Sequence, residues 1–163
     1  MIYKKLLLIV LVGLFLCGCS SDIKKGCTSE EFVKILETKG YTVIKDEQIL
    51  ELDTSGQMKE DVDSIHTATR DGNYEELYVF YDLTDEKTAK EIFDGTSVLK
   101  EEMEIAYGKL NLVSESKDNY ELAVLSNEKF YSYTCRIDDK VLMAIGGGED
   151  KTNIDKNTKE LGY

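Results

Sequence analysis

The side chains able to do chemistry in this 163-residue chain are few in kind: four cysteines, one histidine, and 32 Asp and Glu against 20 Lys and Arg. Cys27 and Cys135 lie far apart in sequence, which excludes a CxxC redox pair. A Ser-His-Asp or Cys-His set needs a nucleophile beside His66, and a zinc site needs further nitrogen or thiolate ligands that the chain scarcely has. His66 is therefore read as a partly exposed polar position on a strand. Paired carboxylates can support acid–base catalysis, as in glycoside hydrolysis, but among 32 acids close pairs arise by chance and none stands out. Asp150, Asn153, Asp155 and Asn157 alternate oxygen ligands as a calcium loop does, yet lack the glycine at its sixth position and the glutamate at its twelfth. Gly146-Gly147-Gly148 ahead of a helix is no phosphate cradle, because Glu149 and Asp150 follow it and a Gly-Lys-Ser/Thr does not. No catalytic residue, metal ligand or cofactor is assigned.

The remaining two cysteines, Cys17 and Cys19, end the run MIYKKLLLIVLVGLFLCGCS, in which Lys4 and Lys5 precede eleven uncharged, mostly large apolar residues, Leu6 to Leu16. A membrane-spanning helix needs about 20 such residues, so the run has the length of a signal peptide rather than a span. Leu16-Cys17-Gly18-Cys19 resembles the bacterial lipobox, with Leu16 three residues before the modified cysteine and the small Gly18 immediately before it. With Cys17 as the target, Leu16 would stand where the pattern has Gly, Ala or Ser. The resemblance thus implies a signal peptide over 1–18, a diacylglycerol on the Cys19 sulfur, and a chain held on the extracytoplasmic side of the cell membrane by two acyl chains, enough for stable anchoring.

Removal of residues 1–18 takes Lys4 and Lys5 with it and moves the formal charge from −12 to −14. Such acidity excludes nucleic acid as a partner and disfavours adhesion to anionic lipid. Residues 19–27 form the anchor and a short tether, leaving a single domain over 28–163. Ser20 to Gly26 spans at most about 25 Å when extended, so the domain works close to the bilayer. An even pair, Cys27 and Cys135, remains outside the cytoplasm, which invites a disulfide between the start of the first helix and a late strand; the alternative is two buried thiols packing as small hydrophobes.

The elements that must position these residues follow from spacing. Thr28-Ser29-Glu30-Glu31 is a capping box, Phe32, Ile35 and Leu36 recur at helical spacing, and Lys39-Gly40 is a helix stop. Tyr41 to Ile44 reads as a strand, and 46–62 as mostly loop. Residues 64–70 and 76–81 form a hairpin about Asp71-Gly72-Asn73. Thr84 caps a long helix to Tyr107. From Leu110 the period turns to two, giving strands over 110–113, 120–125, 129–137 and 140–145 in a meander, before a closing helix over 149–161 capped by Asp150. The class is α+β: an antiparallel sheet of hairpins and meander, with about three helices packed mainly on one face.

Taken in order, GCTSEEFVKILETKGYTV, SIHTATRDGNYEELYVFYDLTDEKTAKEIFDG and RIDDKVLMAIGGGEDKTNIDKNTKELGY resemble a group of small lipoproteins of low-GC Gram-positive bacteria. That resemblance implies location and architecture, and carries no catalytic residue over. The remaining feature is aromatic. Tyr78 and Phe80, with Tyr131 and Tyr133, either complete the core or form an exposed interaction face, since tyrosine is enriched at interfaces. The preferred reading is a membrane-tethered binding or interaction module for an envelope protein, peptide or small ligand; the alternative is a carboxylate-dependent hydrolase acting on an envelope polymer.

Overall fold

The computed structural model describes residues 23–46, 61–70, 73–98 and 100–163. The signal run, Cys17, Cys19, most of the expected 46–62 loop and the Asp71-Gly72 turn lie outside them. Helix α1 (Ser29–Thr38) leads into β1 (Tyr41–Lys45), β2 (Val62–Arg70) and β3 (Asn73–Leu83). Helices α2 (Glu86–Val98) and α3 (Lys100–Tyr107) precede β4 (Asn111–Ser116), β5 (Tyr120–Ser126), β6 (Tyr131–Ile137) and β7 (Lys140–Gly146). A 3-10 turn over Gly148–Asp150 opens α4 (Lys151–Glu160). The chain is α+β, as its periodicities predict.

The seven strands among the described residues join one antiparallel sheet in the order β1-β2-β3-β7-β6-β5-β4. Two meanders, β1–β3 and β4–β7, meet where β3 pairs with β7. The chain leaves the middle of the sheet at β3 and re-enters at the far edge as β4, and α2 fills that crossing by packing over β3, β7 and β6.

Strand alternation then sorts the core into two layers. Tyr78, Phe80, Leu142, Ala144, Tyr133 and Cys135 project to one face, where Phe32 and Leu36 of α1 and Ile154 of α4 pack onto them. Ile65, Leu83 and Val141 project to the other, beneath Ala89 and Ile92 of α2. Where the sequence reading put the helices mainly on one face, α1 and α4 hold that face and α2 holds the opposite one. Strand β6 shows the consequence: Ser132 and Thr134 are buried as well as Tyr131, Tyr133 and Cys135.

Local signals act largely as expected. The Thr28 hydroxyl accepts from the Glu31 amide at 3.2 Å, and the Thr28 amide donates to Glu31 Oε2 at 3.0 Å, a closed capping box. Gly40, at φ 86, makes the left-handed exit from α1. The start of α2 differs: Asp85 rather than Thr84 is the cap, its Oδ1 accepting from the Thr88 amide at 2.9 Å. Asp150 likewise does not cap α4, and instead accepts from the Gly147 amide at 2.8 Å. Gly148 is a packing requirement rather than a flexible turn, because a Cβ there would lie 2.2 Å from the Glu128 carbonyl oxygen.

Candidate functional site

Of the two readings of the four aromatic residues, completing the core or forming an exposed interaction face, the structure shows the first. Tyr78 and Phe80 are 0% exposed, Tyr131 2% and Tyr133 7%. Their alternation puts all four on the face that α1 and α4 cover, with Phe32 stacked on Phe80 at 5.1 Å between ring centroids. Their hydroxyls end in polar partners: Tyr131 donates to Asp155, and Tyr133 accepts from the Lys24 ammonium at 3.3 Å. Tyr78 donates to Glu76 Oε1 at 2.8 Å and accepts from Asn157 at 2.9 Å.

Around Glu76 these bonds merge into a buried network. Its Oε1 also accepts from Tyr41 at 2.7 Å and from Asn153 at 2.7 Å, while Arg70 lies 3.7 Å from Oε2. The Tyr41 hydroxyl in turn is approached by Arg70, Asn153 and Asn157, more donors than its two lone pairs can serve at once. Burial raises the pKa of both tyrosines, which keeps them donors. Asn153 and Asn157, four apart on α4, thus fasten that helix to β1 and β3. The four residues of the calcium-like pattern are drawn to separate tasks: Asn153 and Asn157 to Glu76 and its tyrosines, Asp155 to Tyr131 and Lys151, Asp150 to Gly147.

Cys27 and Cys135 share the α1-side core but stand as free thiols, so the expected bridge is not formed. Burial raises Cys27 to about 12 and Cys135 to about 11, which leaves both protonated and unreactive at neutral pH. Tyr163 packs in the same core cluster, and its buried hydroxyl has no hydrogen-bond partner.

The arrangement best suited to holding a ligand lies on the same face of the sheet, where α1 passes over the ends of β1, β2 and β3. Here a groove of about 610 Å³ opens between Glu30, Val33, Lys34 and Glu37 on the helix and Lys45, Ser64, His66 and Asp82 on the strands. Register explains the convergence: Lys45 pairs with His66, His66 with Phe80, and Ser64 with Asp82. Ser29, the first residue of α1, donates to Asp82 Oδ2 at 2.8 Å. Its single proton is then committed, so the contact of 2.8 Å between the two serine hydroxyls requires Ser64 to donate to Ser29. Lys140 holds the other Asp82 oxygen at 3.4 Å. Ser64, Ser29, Asp82 and Lys140 therefore form a satisfied polar floor.

His66 is the unsatisfied member. Its Nδ1 is buried without a hydrogen-bond partner, and its ring leans against Phe32 at 6.3 Å. Burial, then the Lys45 ammonium, lower its pKa, while Asp82 and Glu30 pull the other way without prevailing. The imidazole is neutral at pH 7, with one nitrogen able to donate and the other to accept. Sequence reasoning placed His66 correctly as a partly exposed position on a hairpin strand and missed the groove beside it, because the sequence gives no sign that α1 would fold over that strand.

Comparison with protein-family models, with curated proteins and with solved structures finds no match. Among the described residues no helix is long and apolar enough to cross a membrane.

Proposed function

We propose that this chain is a lipid-anchored extracytoplasmic binding protein whose α1 groove takes a small zwitterionic ligand such as an amino acid or short peptide. The observation that carries the reading is a groove of about 610 Å³ whose walls carry both signs of charge and include His66, the residue whose buried Nδ1 has no hydrogen-bond partner. Buried polar groups are almost always paired, and an imidazole left unpaired in a groove wall gains a partner if its ring turns toward a ligand there. Charge narrows the class. Asp82 is answered by Lys140, so the groove's remaining charges are Lys34 and Lys45 against Glu30 and Glu37, two of each sign. A ligand with one anionic and one ammonium group finds a counter-charge for each, whereas a simple anion or cation meets a like charge as well.

The hydrolase alternative draws less support. Asp82 is committed to Ser29 and Lys140, and Glu30 is held below the usual carboxylate range by backbone and Thr28 hydrogen bonds, opposite to what a general acid needs.

The test is a titration of the mature protein, followed by amide NMR, with a panel of amino acids and dipeptides. Shifts clustered on Val33, Lys45, Ser64 and His66, weakened at least tenfold by His66→Ala, are expected. Shifts confined to residues remote from α1 would reject the groove as the site.

A further inference from the structure

Residues 24–29 do not hang from the domain. The Lys24 carbonyl accepts from the Asn119 side chain at 2.7 Å, and its ammonium sits 4.7 Å above the Tyr120 ring and 3.3 Å from the Tyr133 hydroxyl. Gly26, at φ +60, lies so close to Tyr163 that a Cβ would come within 3.2 Å of its hydroxyl. Cys27 is buried, and Ser29 is bonded to Ser64 and Asp82.

Register shows the path. Tyr120 pairs with Ile137, Ile137 with Lys140, Lys140 with Asp82, and Asp82 with Ser64, a single row across one end of the sheet from β5 to β2. Four inter-strand spacings of about 4.8 Å make about 19 Å. The five residue steps from Lys24 to Ser29 make about 17 Å, with side chains bridging the balance. The tether expected over 19–27 is therefore, in its second half, a strap laid at right angles to the strands. It begins over β5 and ends in the floor of the groove.

We infer that this strap turns one end of the sheet, the end with the groove, toward the bilayer, so that the lipid surface is the domain's standing neighbour there. The inference rests on the lipid-anchor reading. Five residue steps separate Cys19 from Lys24, so the strap's first fastening lies at most about 18 Å from the backbone of the acylated cysteine. Were the whole stretch to Gly26 free, the domain would tumble at the end of a longer leash. The strap fixes which end is held, whatever the domain's own attraction for lipid. The turns Lys117–Asn119 and Asp138–Asp139 share that end, while Lys109 and Lys129 lie at the other, about 20 Å away along the strands.

Amide NMR of the mature protein in phosphatidylcholine nanodiscs doped with a gadolinium-chelate lipid tests this. Broadening at Lys117 and Asp138 at least fivefold greater than at Lys109 and Lys129 is expected, and the double variant Lys24→Ala with Asn119→Ala should bring the ratio toward one. Equal broadening at both ends of a lipidated chain overturns the inference alone. A mature chain whose mass shows no lipid removes the anchor reading and this inference with it.

Discussion

At the scale of single residues, His66 is the decisive side chain. Its folded-state pKa lies below the ordinary 6.5, so at low pH the unfolded chain binds the proton more readily. Its contribution is therefore neutral above about pH 6.5 and becomes destabilising as the pH falls through that value, until the folded-state pKa is passed. His66→Gln should show a stability difference from wild type that changes between pH 7.5 and pH 5, as read from urea midpoints; a difference constant across that interval would contradict the assignment. The thiols give a second prediction. With Cys19 acylated or replaced by serine, Cys27 and Cys135 should resist a thiol reagent at pH 8 in the native state and react once the chain is unfolded, whereas rapid native labelling would show that they are not buried.

The elements hold through two kinds of contact. Phe32 joins α1 to the sheet by stacking on Phe80, and Phe32→Ala should cost about 3–5 kcal/mol of unfolding free energy. Glu76 joins α4 to the sheet by accepting from Tyr41, Tyr78 and Asn153. Glu76→Ala leaves those donors unpaired and should cost about 2–4 kcal/mol, with amide protection lost in α4 before α1; a loss under 0.5 kcal/mol would show that water replaces the carboxylate. Much of this level was legible in the sequence. The Thr28 capping box, the Gly40 stop and the strand periods are local, and they fold as local rules require. What was not legible depends on which face each helix covers. Tyr78 and Tyr133 read as completing the core, with an exposed face as the alternative, until the crossing from β3 to β4 assigns α2 to one face and leaves α1 and α4 on the other. The docking of α1 over the strands hid the groove, whose walls come from residues as distant as Val33, His66 and Asp82.

For the whole molecule, strap and groove belong to one end of one sheet, and the proposed anchor would hold the chain at that end. On the lipid-anchor reading, a Cys19→Ala chain should partition from the membrane into the soluble fraction with its fold and groove retained, because the strap, core and groove are built from Lys24 onward. The central claim is that the groove beside α1 is a binding site organised by His66, and the chain's single histidine makes it directly observable, since one imidazole gives one set of ring signals. The measurement to make is the carbon–proton NMR spectrum of that ring during titration with the amino acid and dipeptide panel. Saturable movement of the ring signals, with an altered His66 pKa in the bound state, is the predicted result. Ring signals that stay fixed through every titration, and titrate with pH as a free imidazole does, would contradict it.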